Sequence, residues 1–351
     1  MASVRTQQTR KQTTYAARAF AKVNLHLAVG PARDDGFHEL VTIFQSLDLA
    51  DVVSIEISEP SAAPVTGDAE PLARESAGTV VTGGTAVTGL SVSGRDSHAV
   101  PTDASNLAWK AVDAVVQALR QIHGADLLLP KVKIAIEKNI PVAGGMAGGS
   151  ADAAAALRAA NALFSEYGEC AMLDERTLHE LAAQLGSDIP FCLHGHTAVG
   201  QGRGEKLYPL PTTGKFHWAL LAHEQGLSTP HVFRAFDELV QDSQPNPATE
   251  ETADLAAALL DADVHQVAQF LRNDLQAAAL HVRADLRASI DAGVAAGALA
   301  GVISGSGPTC AFLCGDEFSA ARVAAHLEST IAGTRGITAT SPAGRAELIE
   351  Y

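Results

Sequence analysis

Gly144, Gly145, Gly148 and Gly149 fall inside one short run, Pro141-Val142-Ala143-Gly144-Gly145-Met146-Ala147-Gly148-Gly149-Ser150-Ala151. An alternating apolar stretch leads into it and an alanine-rich stretch leads out, so the run joins a strand to a helix. Glycine lets a backbone approach a ligand closely and take positive φ. A helix start directs unpaired N–H groups and the positive end of the dipole at whatever lies in front of it. Together these bind phosphate. Ser150 is placed to cap the helix, or to give its hydroxyl to a phosphate. Neither common phosphate loop fits: a Walker A loop needs lysine where Ser150 stands after the Gly144/Gly149 pair, and the glycine spacing is not G-x-G-x-x-G. By itself the run leaves two readings open, a phosphate loop or a tight turn packed backbone against backbone.

Two charged residues sit where charge needs a reason. Lys22 interrupts an apolar strand, Ala21-Lys22-Val23-Asn24-Leu25, and alternation puts Asn24 and His26 on its face. An ammonium there offsets negative charge on a reacting oxygen; the plainer reading is an edge-strand lysine in water. Asp188 lies in Gly186-Ser187-Asp188-Ile189-Pro190-Phe191, an apolar segment that would desolvate a carboxylate able to accept a proton; the plainer reading is that it caps a turn. A second glycine turn, Ser304-Gly305-Ser306-Gly307-Pro308, either closes over phosphates, buttresses the first loop, or is a plain turn between core strands.

The elements that must position these residues follow from periodicity. Strands are expected at 16–29, 38–47 and 51–58, with a turn at Asp34-Asp35-Gly36, and tightly joined antiparallel strands imply an α+β class. The stretch 59–97 reads as a mobile insertion with a hairpin near 78–92. Helices are expected from 103 or 105 to 122, at 151–164, at 174–185 and from 317, with strands at 131–137, 197–201 and 216–222 and a polar loop at 241–252. The length of 351 residues suits two domains, divided near 210 by Tyr208-Pro209-Leu210-Pro211: 15–210 and 211–351, after a disordered basic tail at 1–14. That tail has no apolar core and does not read as a secretory signal. No apolar run approaches the roughly 20 residues of a membrane-spanning helix, and a net charge of −15 disfavours nucleic acid, so neither is an expected partner. Cys170, Cys192, Cys310 and Cys314 form no C-x-x-C pair and read as buried free thiols in a reducing cytoplasm.

These motifs, in this order, resemble the GHMP kinase superfamily. Pro141 to Ala151 resembles its ATP loop, and Ile303-Ser304-Gly305-Ser306-Gly307-Pro308-Thr309 its C-terminal turn. Ala21-Lys22-Val23-Asn24-Leu25-His26-Leu27, Arg33-Asp34-Asp35-Gly36-Phe37-His38-Glu39-Leu40 and the Asp188 segment are similar to members acting on a cytidine diphosphate-linked methylerythritol. The matches run from Ala21 to Phe312. The resemblance implies two α+β domains with the active site in the cleft between them. It implies ATP as co-substrate with Mg²⁺, whose ligands it leaves open, and transfer to the 2-hydroxyl of 4-diphosphocytidyl-methylerythritol in non-mevalonate isoprenoid synthesis. The alternatives are another alcohol acceptor or a non-catalytic nucleotide-binding homologue. On this reading Asp188 is the base and Lys22 its cationic partner, Asn24 orients the acceptor, His38 binds cytosine, Phe37 and Phe233 stack on it, and Thr229 is a polar contact in Leu227-Ser228-Thr229-Pro230-His231-Val232-Phe233. Asn106 and Lys110 would approach the nucleotide base; His26 receives no role. The sequence departs from the pattern at Ala143 and Ala147, often Gly, so the remaining glycines should supply any positive φ. Asp152 stands where Asn is frequent and should either face away from phosphate or meet a cation; Phe37 replaces a frequent Tyr.

Overall fold

The structure is a computed structural model that describes residues 13–58, 80–81, 84–142, 144–241 and 252–350. The expected tail up to residue 12, most of the expected insertion, Ala143 and nearly all of the 241–252 loop lie outside the described residues. In chain order the elements are β1 (Thr14–Ala32), β2 (His38–Ile57), β3 (Val80–Val81), β4 (Val87–Gly94), α1 (Leu107–His123), β5 (Leu129–Pro130), β6 (Val132–Lys138), α2 (Gly148–Tyr167), α3 (Glu175–Leu185), α4 (Ile189–His194), β7 (Thr197–Gly202) and β8 (Lys206–Pro209). They continue with β9 (Phe216–His223), α5 (Thr229–Val240), α6 (Ala253–Leu260), α7 (Val264–Phe270), β10 (Arg272–Asn273), α8 (Leu275–Val282), α9 (Asp285–Ala295), β11 (Ala300–Ile303), β12 (Cys310–Cys314), α10 (Glu317–Thr330), β13 (Thr334–Ser341) and β14 (Glu347–Ile349). The α+β expectation holds.

Among the described residues, eight strands form a sheet ordered β10-β1-β2-β6-β4, with β14 on β1 and β7-β8 on β2. A second sheet runs β11-β12-β9-β13. The long antiparallel pair β1/β2 is the spine. Its register shifts between Phe20 and Lys22 and between Asn24 and His26. A bulge reverses which face the following residues present, so Leu27, not His26, lines the cleft. Simple alternation gave the wrong residue here.

Two other expectations change. The strands expected at 38–47 and 51–58 are one strand, β2. No turn forms between them because both intervening aspartates have partners in the extended chain: Asp48 Oδ1 accepts the Thr340 amide at 2.6 Å and Asp51 Oδ1 those of Asn139 and Ile140 at 2.6 and 2.9 Å. Among the described residues no hairpin forms near 78–92, and residues 84–97, expected within a mobile insertion, include a strand. β3 pairs with β5, while β4 pairs parallel with β6 and buries Ala86 and Val87. A parallel partner distant in sequence leaves no local signal.

The helix α2 lies across β1 and β2 and is buried on nearly every side. Alanines at 151, 153–156, 159, 160 and 162 permit this, since small side chains let a helix pack closely against sheet and helix alike. The two sheets are joined through polar contacts. Trp218 Nε1 donates to Ser341 Oγ at 2.8 Å, Ser341 Oγ donates to Gln45 Oε1 at 2.5 Å, and Gln45 Nε2 donates to Thr197 Oγ1 at 3.1 Å. Buried polar groups satisfied this way fix one relative placement of their strands. The division expected at 210 falls between β8 and β9, and strands from beyond it, β10 and β14, return to flank β1. Among the described residues no helix is long and apolar enough to cross a membrane. Cys192, Cys310 and Cys314 are buried free thiols; Cys170 is half-buried.

Candidate active site

A cleft of about 710 Å³ opens where β1, the loop before α2, the Ser304–Pro308 turn and α5 meet. Gly144, Gly145, Ala147, Gly148, Gly149 and Ser150 line it. Gly148, Gly149 and Ser150 open α2, so their amides have no intrahelical acceptor. Pro141 and Val142 do not line the cleft, and Met146 and Ala151 belong to the hydrophobic core beneath it.

The loop is suspended from both sides. On one side Lys22 Nζ donates to Gly145 O at 3.0 Å and the Lys22 amide to Met146 O at 3.2 Å. On the other, Ser304 Oγ donates to Gly145 O at 3.1 Å and the Thr309 amide to Gly144 O at 3.3 Å. Contact is so close that a Cβ on Gly145 (φ 78°) would lie 2.1 Å from Ser304 O. The second glycine turn therefore buttresses the first loop. Two details differ from expectation. Ser150 is not the cap of α2: the chain enters the helix through Ala147, whose φ and ψ are 61° and 31°. Ala147 thus adopts the left-handed geometry that only glycines were expected to supply. A Cβ there costs roughly 1–2 kcal/mol, and the surrounding anchors hold it.

Lys22 is no edge-strand lysine. β2 and β10 flank its strand, its side chain is 5% exposed, and Nζ donates to Asn24 Oδ1 at 2.7 Å. Asn24 Nδ2 donates to Thr42 Oγ1 (2.9 Å), which donates to His26 O (2.6 Å); this chain holds Asn24 beside the ammonium, and Asn24 lines the cleft. Lys22 Nζ also lies 5.7 Å from the centre of the Phe44 ring. Asp188 Oδ2 is 3.9 Å from Lys22 Nζ. It stands at the head of α4, yet its side chain makes no capping hydrogen bond, so turn capping does not explain it. Nor does the apolar segment desolvate it: the side chain is 35% exposed, on the cleft.

The far end of the cleft is aromatic. His38 packs tilted against Phe233 (ring centres 4.8 Å apart, 34° between planes) and its Nε2 meets Asp237 Oδ1 at 2.8 Å. Phe37, 47% exposed, lies with its ring 5.0 Å beneath the Arg203 guanidinium. Its position follows from the turn before it, where Asp35 Oδ1 accepts the Phe37 amide at 3.0 Å. That bond, with Arg33, holds the Asp35 carboxyl below the usual range. Thr229 Oγ1 and Ser306 Oγ are 2.8 Å apart, linking α5 to the buttressing turn. Asn106 caps α1 by accepting the Ala108 amide at 2.8 Å; neither it nor Lys110 lines the cleft.

Sequence reasoning missed Arg203, Arg234 and Asp237, which also line the cleft, as do Ser187 of the Asp188 segment and Gly305 and Ser306 of the second glycine turn. Two left a signal. Gly202-Arg203-Gly204 places Arg203 between glycines at φ 73° and 99°, a tight turn presenting one cation. Asp237 follows Phe233 by four residues on one face of α5. Asp152 meets a cation, the second of its two expected fates: Lys138 Nζ lies 2.8 Å from its Oδ2 and also contacts Asp51.

A glycine loop suspended between a buried lysine strand and a Gly-Ser-Gly-Pro turn, with the Asp188 carboxylate on the same cleft, is the arrangement expected of a small-molecule kinase of the GHMP class. Residues 106–196 match the GHMP kinases N terminal domain and residues 255–332 the GHMP kinases C terminal domain. The 4-diphosphocytidyl-2-C-methyl-D-erythritol kinase of Corynebacterium diphtheriae is 50% identical over 90% of this chain and 93% of its own length. That of Saccharopolyspora erythraea is 49% identical over 90% and 87%. A crystal structure of 4-(cytidine 5'-diphospho)-2C-methyl-D-erythritol kinase superposes with a TM-score of 0.67 at 27% identity, covering 94% of this chain and all of that one. The L. major mevalonate kinase (TM-score 0.65, 14% identity, 98% of this chain and all of that one) shares the fold. This chain belongs to the 4-diphosphocytidyl-2-C-methyl-D-erythritol kinase family, and it is an ATP-dependent kinase.

The loop geometry gives two substitutions of opposite sign. Ala147→Gly removes roughly 1–2 kcal/mol of left-handed cost against about 0.5–1 kcal/mol of chain entropy, so unfolding free energy should rise by about 0.5–1 kcal/mol. Gly145→Ala, with its Cβ against Ser304 O, should lower both thermal stability and activity. Denaturant unfolding and a kinase assay check the pair; equal effects at the two positions would contradict this loop geometry.

Proposed function

We propose that this chain transfers the γ-phosphoryl group of ATP to the 2-hydroxyl of 4-diphosphocytidyl-2-C-methyl-D-erythritol, in the cytoplasmic synthesis of isoprenoid precursors by the non-mevalonate route. The observation that carries the proposal is the Lys22–Asp188 pair, 3.9 Å apart, between the phosphate loop and the aromatic end of one cleft.

Phosphoryl transfer needs positioning, charge neutralisation and a destination for the hydroxyl proton. Asp188 takes that proton as the alcohol oxygen attacks the γ-phosphorus. The bond from phosphorus to the β,γ-bridging oxygen breaks, and ADP leaves. Asp188 is suited to this because it makes no capping bond and faces the cleft. Of the three N–H bonds of the Lys22 ammonium, two go to Asn24 and Gly145. The third is left for the acceptor oxygen or the transferring group, where a desolvated cation offsets developing charge. Gly148, Gly149 and Ser150 present helix-start amides to the phosphates.

At the other end, Phe37 and Phe233 supply stacking faces for cytosine, His38 its hydrogen bonds with Asp237 fixing the ring, and Thr229 a polar contact beside Ser306. Mg²⁺ is expected with ATP. Among the described residues no group of three or more His, Cys, Asp or Glu side chains could hold a metal ion. Bound with the nucleotide, the cation would offset the charge of the phosphates.

Asp188→Asn should leave ATP-analogue binding intact and lower kcat by about 10²–10⁴; steady-state kinetics beside calorimetric titration test this, and unchanged turnover would identify another base. Phe233→Ala should raise KM for the cytidylated substrate by about tenfold or more, base stacking being worth roughly 1–3 kcal/mol. An unchanged KM, or faster turnover of an alcohol lacking cytidine, would count against the acceptor.

A further inference from the structure

A buried charge cluster lies directly behind the phosphate loop. Lys138, the last residue of β6, bridges Asp51 of β2 and Asp152 of α2, and all three side chains are buried. A Cβ on Gly148 would lie 3.3 Å from Lys138 Nζ, and Gly148 lines the cleft. A single thickness of backbone therefore separates the cluster from the helix start where the loop reading puts phosphate.

The charges of the cluster do not balance, because two carboxylates share one ammonium. Asp51 is well supplied, accepting from Lys138 and from the amides of Asn139 and Ile140. Asp152 has Lys138 alone on Oδ2, and its buried Oδ1 has no hydrogen-bond partner. A buried carboxylate oxygen without a donor favours the protonated acid. Burial foremost, then Asp51 against the pull of Lys138, pushes the Asp152 carboxyl up to about 7. Burial also works against the charge on Lys138, but Asp152 and Asp51 outweigh it.

The other elements around α2 offer Asp152 no further partner. Cys192 of α4 is a thiol that burial keeps protonated. Lys22 of β1 and Asp188 line the cleft. On α1, Lys110 is exposed and Asp113 accepts from Thr85 and the Ala86 amide. Further along α2, Arg158 is taken by Glu175 of α3, and on β14 Glu347 is taken by Arg18.

We propose that Asp152 is a positioning residue of the ATP loop that couples nucleotide binding to proton uptake, an inference that rests on reading residues 141–151 as that loop. With Asp152 ionised, one excess negative charge stands behind the helix start and opposes the phosphates. With Asp152 protonated, Lys138 and Asp51 form a neutral pair, and the positive end of α2 acts unopposed. Proton and anionic nucleotide then favour each other's binding, and linkage makes the effect reciprocal. The folded protein holds this proton below about 7, so nucleotide affinity is fullest there and declines as pH rises through and above that value.

Asp152→Asn keeps the shape, removes the titration and leaves Lys138 paired with Asp51. Binding of the ATP analogue AMP-PNP to the full chain, by calorimetry from pH 6 to 9 in buffers of different ionisation enthalpy, counts the protons. Wild type should take up more protons per nucleotide than Asp152→Asn near neutral pH. Its affinity should fall about fivefold more across that range, within the limit of tenfold per pH unit for one proton. Asp51→Asn, which also leaves one carboxylate per ammonium, should flatten the profile too; both variants are first checked for a cooperative thermal transition. Equal proton counts and equal slopes in wild type and Asp152→Asn would overturn the proposal while leaving the loop reading intact. Absence of AMP-PNP binding by wild type would overturn both.

Discussion

The carbonyl oxygen of Gly145 is the point on which the site depends. It accepts from Lys22 Nζ and from Ser304 Oγ, and so joins the first strand, the glycine-rich loop and the C-terminal glycine turn at one atom. Gly145 can stand there only because it has no Cβ. The same contact restrains the Lys22 ammonium, which lies 3.9 Å from Asp188 Oδ2. A loop with four glycines has little stiffness of its own. Here its order comes from strands and turns that are themselves rigid, which is what a phosphoryl-transfer site needs for positioning.

Burial of polar groups around this junction would be costly if any were left unpaired. Lys22, Asn24 and Thr42 form a connected chain ending on a backbone carbonyl, and Lys138 ties Asp51 to Asp152. The alanine-rich α2 makes this density of buried charge reachable, because small side chains bring the helix close to β1 and β2 and so bring Asp152 within reach of the end of β6. The exception in the network is Asp152 Oδ1, and its cluster lies behind the loop proposed to bind the nucleotide.

Much of this was legible in the sequence because the relevant signals are local. A glycine run between a strand and a helix, a lysine inside an apolar strand and an aspartate in a short Gly-Ser-Asp-Ile-Pro segment can each be read within a few residues. The parts that were not legible depend on partners far away. The bulge that sends Leu27 rather than His26 into the cleft is a property of β1 against β2. The left-handed Ala147 survives because anchors from residues 22, 304 and 309 hold its loop. The continuity of β2 depends on residues 139, 140 and 340, and β4 gains its place from a parallel partner some 45 positions away. Asp237 and Arg203 became site residues only when α5 and the β7–β8 turn came to face His38 and Phe37.

In the proposed reaction one cleft brings the acceptor hydroxyl to Asp188 and the triphosphate to the start of α2. The most direct measurement is a crystal structure with AMP-PNP and 4-diphosphocytidyl-2-C-methyl-D-erythritol bound together. The geometry described here expects the 2-hydroxyl oxygen roughly 2.6–3.2 Å from the Asp188 carboxylate, the γ-phosphate at Gly148 to Ser150, and cytosine against Phe233 and His38. A hydroxyl turned away from Asp188, or a cytidine ring bound outside the aromatic end of the cleft, would contradict it.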